Sequence, residues 1–160
     1  MANREPRLVL RVLSVWRTLC KGPTPPRRSQ IDPMLFGTDW ASCLLIDLDP
    51  TVERSRLSYV GAHLRDPTWP ALDRQMLSEC REGTLLHAAL SYTTRVLAKG
   101  VPISASGVVP HEGDPSIYRS ILLPLADSGR IDGLLGAASL ISAAEKEPLL
   151  QEHSLHLVSA

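Results

Sequence analysis

The sequence predicts an α+β domain in which a five-stranded antiparallel sheet carries helices on one face and follows an N-terminal amphipathic helix. Three observations predict this class. Two strand-like segments come early, a helical stretch follows them, and three strand-like runs separated by Gly-, Asp- and Pro-rich connectors complete the pattern. At 160 residues, 44% hydrophobic and 21% charged, the chain has the size and composition of one globular domain.

The first element is an amphipathic helix within residues 6–20, PRLVLRVLSVWRTLC. Its apolar side chains recur at helical spacing and form one stripe. A Gly-Pro step at residues 22–23 ends it. The stripe is expected either to form a dimer contact or to cover the helix's own sheet. The dimer contact would use Val9, Val12, Leu13 and Trp16.

A Pro- and Arg-rich hinge, PPRRSQIDP, follows this helix. Asp32 is expected to cap a short helix that begins at Pro33, with Ile31 packed on the core. Residues 1–30 hold seven cations and one acid, a net charge of +6, which leaves −6 for the remainder of this neutral chain. Arg27 and Arg28 therefore either bind an anionic partner or pair with the acidic body of the domain.

The remaining elements follow from the change of hydrophobic period along the chain. Residues 41–49 and 56–62 are predicted as paired strands, with Leu57, Tyr59 and Gly61 on one face. A helix is expected from Ala71 to Arg81, and a longer one from residue 84 to Lys99 with Gly100 after its end. The last three strands are predicted in VPISASGVVP, SIYRSILLPLA and RIDGLLGAASLIS, before a short helix and a loosely held tail.

These elements divide the chain into four parts. Residues 1–22 form the amphipathic helix, 23–33 the hinge, 34–142 the α+β domain and 143–160 the tail.

Three segments resemble the compact single-domain PAS family that is common in α-proteobacteria, and together they span about residues 8–142. They are PPRRSQIDP after a Trp-containing helix, LSYVGAHL, and YRSILLPLADSGRIDGLLGA. The stretch RDPTWPALDRQ departs from the family, which usually has a Gly there. The resemblance implies a PAS-like sheet in a bacterial sensor of signal transduction. Such a domain holds a small molecule, or nothing, between the sheet and the crossover helices, and it often dimerises through an N-terminal helix.

Candidate ligand contacts are the scarce aromatic or imidazole side chains that this fold would place near the crossover helices. They are Tyr59, Trp69, His87, Tyr92 and Tyr118. The His87 imidazole would hydrogen-bond a ligand, ligate haem iron, or simply flank the core. The sequence identifies no cofactor.

The motifs of catalysis and metal binding are missing from the sequence. HEGDP groups His, Glu and Asp in a hairpin turn, which is too exposed to hold a catalytic triad, and no H-x-x-x-H or C-x-x-C metal spacing occurs. There is also no Walker A sequence. Arg65, Arg74 and Arg81, together with the hinge arginines, leave a nucleotide messenger open as a ligand.

We therefore predict a non-enzymatic PAS sensor that binds a small ligand or a signalling partner protein and forms a homodimer. We expect no output domain, no DNA binding and no transmembrane segment. The odd number of cysteines, Cys20, Cys43 and Cys80, indicates reduced thiols in a cytoplasmic protein. The alternative is a small cone-shaped α+β enzyme of the isomerase or dehydratase type, which needs an acid or base in its cavity.

Overall fold

A computed structural model describes residues 7–65, 74–141 and 153–154. Several short 3₁₀ turns join the main elements. The helices are α1 Leu8–Leu19, α2 Leu85–Leu90 and α3 Thr93–Lys99. The strands are β1 Cys43–Asp47, β2 Arg56–Val60, β3 Ile103–His111, β4 Asp114–Asp127, β5 Arg130–Leu140 and β6 His153–Ser154.

The strands form one antiparallel sheet in the order β2-β1-β5-β4-β3-β6. Its first five members are the predicted PAS-like sheet, so the fold class is confirmed. The two-residue strand β6 pairs with Ile103 and Ser104 of β3. This pairing differs from the loosely held tail that the sequence predicts for the C-terminal residues. The short helix predicted before β6 lies outside the described residues.

The sheet separates two hydrophobic cores. Along β1, Leu44 and Ile46 point to the core that contains α2 and α3, whereas Cys43 and Leu45 point to the core that contains α1. This alternation follows from the two-residue period of a strand. We call the first side of the sheet the crossover face and the second the α1 face.

Helix α1 confirms the predicted amphipathic pattern and covers its own sheet. The four stripe residues are buried on the α1 face: Val9, Val12, Leu13 and Trp16. The indole Nε1 of Trp16 also donates a 2.8 Å hydrogen bond to the carbonyl of Pro124 in β4. A dimer through these four side chains would require α1 to leave the sheet, so that contact stays a prediction.

The hinge is ordered against the edge of β4. Strand β3 pairs with β4 only as far as Leu122, and beyond that point the Ala126 N–H donates to the carbonyl of Pro26 at 2.9 Å. The predicted cap at Asp32 is confirmed, since its Oδ1 accepts a 3.0 Å bond from the Met34 N–H and Pro33 follows it. Ile31 is buried in the core of the α1 face, as expected.

A β-bulge in β2 corrects one predicted face. Leu45 pairs with Tyr59 but the next residue, Ile46, pairs with Leu57, so Ser58 is an extra residue in β2. Leu57 therefore lies on the crossover face and Tyr59 on the α1 face. The prediction that these two residues share a face is wrong because a bulge breaks the two-residue alternation.

The crossover segment differs from the prediction in two places. The helix predicted over residues 84–99 is divided into α2 and α3 at Tyr92, although it is followed by a left-handed Gly100 as expected. The structure adds an N-cap, since the Thr84 hydroxyl accepts a hydrogen bond from the His87 N–H. The helix predicted from Ala71 to Arg81 is wrong for residues 74–81, where Met76 pairs with Arg56 and only a 3₁₀ turn follows. Residues 71–73 lie outside the described ranges.

Candidate functional site on the crossover face

A buried hydrogen bond joins the crossover segment to the sheet on the crossover face. The hydroxyl of Tyr92, between α2 and α3, lies 2.7 Å from the Oγ of Ser120 in β4, and both residues are buried. Ser120 Oγ also contacts the Ala105 carbonyl at 3.4 Å. A buried hydroxyl pair of this kind fixes the position of the helices over the sheet, because separating the partners would leave polar groups unsatisfied.

Tyr118 lies two residues before Ser120 in the same strand and therefore on the same face. Its ring covers Gly107 of β3, where an added Cβ would come within 3.0 Å of the ring carbon Cε1. The glycine thus makes room for the aromatic ring. Tyr92 and Tyr118 are the two predicted ligand contacts that the structure places on the crossover face.

Gln75 adds a buried polar group that the sequence analysis missed. The Leu57 N–H donates to the Gln75 carbonyl, and the Leu77 N–H donates to the Ser55 carbonyl, both at 2.9 Å. Gln75 therefore lies opposite Leu57, and its side chain shares the crossover face. Its Nε2 donates to the Glu79 carbonyl at 3.0 Å, but its buried Oε1 has no hydrogen-bond partner among the described residues.

The other predicted ligand contacts are placed differently. His87 lies half-buried in α2, and its backbone N–H is held by the Thr84 hydroxyl at 3.1 Å. Tyr59 lies on the α1 face, where its ring stacks on Trp40 with centroids 4.5 Å apart and its hydroxyl donates to the Trp40 carbonyl at 2.9 Å. Trp69 lies outside the described residues. The structure therefore does not bring Tyr59 together with Tyr92 and Tyr118.

A Ser–His contact, also missed from sequence, joins Ser42 and His63 near the ends of β1 and β2. The Ser42 Oγ lies 3.0 Å from His63 Nδ1, with Ser42 buried and His63 exposed. In the described part of the chain no carboxylate contacts the His63 ring, so the third member of a triad is missing there. The pair is a hydrogen bond between two turns.

Every Asp and Glu within residues 7–65 and 74–141 is at least partly exposed. Burial raises the pKa of the Cys43 thiol to about 12, and the nearby Asp39 adds to this shift. No group of three His, Cys, Asp or Glu side chains that could hold a metal ion occurs in those ranges. None of their helices is long and apolar enough to cross a membrane.

Two open clefts lie away from the buried polar groups of the crossover face. One, of about 650 Å³, is lined by residues that include Leu48, Leu97 and Ile131 at the end of the sheet. The other, of about 390 Å³, lies between the hinge and the β4–β5 turn and includes Arg27 among its lining residues. Arg28 does not line either of these clefts.

Comparison with known proteins finds matches among solved structures. The structure of an RNA-binding light-oxygen-voltage receptor matches with a TM-score of 0.40 and 16% identity over 65% of this chain, which spans only 32% of that receptor's chain. The light-state structure of the LOV domain of the blue-light photoreceptor Aureochrome1 matches with a TM-score of 0.43 and 17% identity, covering 66% of this chain and 84% of that one.

A light-oxygen-voltage domain studied with a flavin analogue matches with a TM-score of 0.44 and 12% identity, covering 73% of this chain and 90% of that one. No protein-family model and no curated protein matches the sequence. The low identities and TM-scores assign neither a family nor a function to this chain. The PAS-like fold rests on its own strand order and on the position of its crossover helices.

Proposed function

We propose that this chain is a non-enzymatic sensory module of the PAS type, which binds a small ligand or a protein partner and relays the signal through contacts with that partner or with a second copy. The observation that carries the proposal is the buried Oε1 of Gln75 on the crossover face, which has no hydrogen-bond partner among the described residues. A buried acceptor without a partner costs about 1–3 kcal/mol. A ligand or partner group that donates a hydrogen bond there would remove this cost.

The surroundings of Gln75 on the crossover face are mostly apolar. Leu57, on the same face, belongs to a core that also contains Cys80 and Leu86. Binding sites for small molecules combine such apolar walls with a few oriented polar groups. Tyr92 and Tyr118 supply hydroxyls on the same face, and the half-buried His87 lies at its helical border. We propose that Gln75, His87, Tyr92 and Tyr118 are the polar groups of the ligand site.

The division of the crossover helix supports the relay. Because Tyr92 separates α2 from α3 and is hydrogen-bonded to Ser120, a ligand that moved this tyrosine would also move both helices relative to β4. The described acids supply no buried acid–base group for the alternative isomerase or dehydratase. The three free thiols support a reducing compartment, and we place the protein in the cytoplasm.

A homodimer is also part of the proposal. Since the apolar stripe of α1 is already covered, we propose that α1 contributes its outer surface, where Leu10 is 44% exposed. A Leu10→Asp variant would weaken such a dimer, because it would place a charge in the contact. Leu35, which is exposed to a similar extent in a neighbouring 3₁₀ turn, is the matched position for a control substitution.

Native and denaturing mass spectrometry of the purified full chain test the proposal. We expect the native spectrum to show a dimer, or a non-covalent adduct that disappears on denaturation. A dimer should dissociate more readily in Leu10→Asp than in Leu35→Asp. A bare monomer, with no adduct and no dimer over the accessible concentration range, would contradict the proposed function.

A further inference from the structure

The cleft of about 390 Å³ at the hinge has the size of a small-molecule site. We call it the hinge cleft. It is bordered by the end of α1, by the hinge and by the turn between β4 and β5. The residues that matter to its chemistry are Lys21, Thr24, Arg27, Gln30, Asp127 and Ser128. It is separate from the polar groups that the crossover face offers.

Backbone hydrogen bonds hold the walls of the hinge cleft. Lys21 and Thr24 exchange two backbone bonds of 3.1 and 3.0 Å, which close a tight turn after α1. The Arg27 N–H donates to Gln30 Oε1 at 2.9 Å, and the neighbouring Pro26 carbonyl accepts the Ala126 N–H from β4. A site whose walls are fixed in advance loses less entropy when a ligand binds.

The side chains that line the hinge cleft carry a net positive charge. Residues 7–30 contain six cations and no acid. Arg11 is paired with Asp39 at 2.8 Å. Lys21 and Arg27, by contrast, are exposed and form no ion pair with the described residues. Asp127 is the one carboxylate among the residues that line the cleft, so Lys21 and Arg27 leave the lining with a net positive charge.

We propose that the hinge cleft binds a small molecule that carries a phosphomonoester group. The Arg27 guanidinium offers a bidentate pair of donors, and the Lys21 ammonium adds a point charge. The hydroxyls of Thr24 and Ser128 are further donors on the cleft wall. The apolar part of the wall, formed by Leu19, Pro25 and Ala126, suits the body of such a ligand.

This proposal separates the roles of two adjacent arginines. Arg27 lines the hinge cleft, whereas Arg28 is exposed beside it and does not line it. Neither arginine has an ion-pair partner among the described residues. Nonspecific attraction of anions to the hinge would therefore depend equally on Arg27 and Arg28. Recognition inside the cleft would depend on Arg27 alone. Arg27→Gln and Arg28→Gln are therefore matched variants.

Isothermal titration calorimetry of the full chain with adenosine monophosphate and with inorganic phosphate tests the site. We expect saturable binding of adenosine monophosphate at one site per chain and weaker binding of phosphate. Arg27→Gln and Lys21→Gln should each weaken binding roughly tenfold, the typical value of one charge-assisted hydrogen bond, and Arg28→Gln less than about twofold. Thermal unfolding of each variant confirms that these exposed substitutions leave the fold intact.

Three outcomes would overturn the proposal. The first is no saturable binding of either probe, and the second is an equal loss in Arg27→Gln and Arg28→Gln. The third is binding only to phosphatidylcholine vesicles that contain phosphatidic acid, which would identify a membrane surface as the source of phosphate. Gln75→Leu should leave the titration unchanged, so failure of this site and failure of the crossover-face site are distinguishable.

Discussion

Gly61 lies where the end of β2 passes the 3₁₀ turn Gly37–Ser42. Its N–H donates to the Cys43 carbonyl at 2.8 Å, and its φ of −64° is open to any residue. The requirement for glycine is one of space, because a Cβ at this position would collide with the backbone carbonyl of Ala41. A backbone atom cannot move aside as a flexible side chain can.

We predict that Gly61→Ala lowers the free energy of unfolding by about 1–3 kcal/mol, the usual cost of overpacking. Urea unfolding of the purified protein measures this change in the free energy of unfolding. Ala62→Ser at the neighbouring exposed position is the control, and we expect it to change stability by less than about 0.5 kcal/mol. Equal stability of Gly61→Ala and wild type would show that the two backbones do not approach so closely.

Two buried cysteines link stability to alkaline pH. Burial raises the pKa of the Cys43 thiol from 9.0 to about 12 and that of Cys80 from 9.0 to about 11, with smaller contributions from Asp39 and Glu79 respectively. A raised pKa means that the folded state holds the proton more tightly. The resulting stabilisation is complete below pH 9 and is lost as the pH rises through the folded pKa values.

We therefore predict that stability falls by up to about 1.4 kcal/mol per pH unit for each of these thiols above pH 9. Urea unfolding at a series of alkaline pH values measures the slope. Cys43→Ala should show a shallower slope than wild type, although it starts from a lower stability because of the cavity it creates. Burial and the Cys43 thiolate also raise the pKa of the Tyr59 phenol, so removing Cys43 lowers that pKa as well and makes the slope of the variant shallower in the same direction. If the stabilities of wild type and Cys43→Ala fell with the same slope above pH 9, the raised pKa of the Cys43 thiol would be contradicted.

At the scale of elements, α1 is held to the sheet by both packing and a directed hydrogen bond. Trp16 is 2% exposed, and its indole N–H satisfies the Pro124 carbonyl. Pro124 has no N–H to pair along the sheet, and it lies in the part of β4 beyond its pairing with β3. Helix α1 and the hinge thereby protect a strand edge that would otherwise be open.

We predict that Trp16→Ala costs about 3–5 kcal/mol of stability, because it removes a large buried side chain and leaves the Pro124 carbonyl without its indole partner. Leu10→Ala on the exposed side of the same helix should cost less than about 0.5 kcal/mol beyond its helix propensity. Chemical unfolding measures both. A Trp16→Ala protein as stable as Leu10→Ala would mean that α1 does not pack on this sheet.

Some elements depend on signals within a few adjacent residues, whereas others depend on pairing with a distant strand. The first five strands, α1 and the cap at Asp32 were predictable because hydrophobic period and capping chemistry lie within a few adjacent residues. The bulge at Ser58 was not, since it depends on pairing with β1. For the same reason Gln75 was assigned to a helix, although it in fact pairs with β2 across the sheet edge.

At the scale of the whole molecule, the sheet separates the two sites that we propose for this chain. The crossover face carries Gln75, Tyr92 and Tyr118, and the opposite side and its edge carry α1 and the basic hinge. The sequence predicted this topology and the uneven charge, but it placed Tyr59 on the wrong face. It also left open whether the hinge arginines pair with the domain. In the described structure Arg27 and Arg28 form no ion pair with it.

The most direct test of the sensory assignment compares Gln75→Leu with Glu53→Leu by native mass spectrometry of the full chain as purified. Both variants replace a polar side chain of the same length by leucine, but Glu53 is exposed, whereas Gln75 has a buried acceptor on the crossover face without a partner among the described residues. We predict a non-covalent adduct in wild type and in Glu53→Leu that is lost in Gln75→Leu. An adduct that persists in Gln75→Leu at the wild-type level would contradict a ligand site at the crossover face.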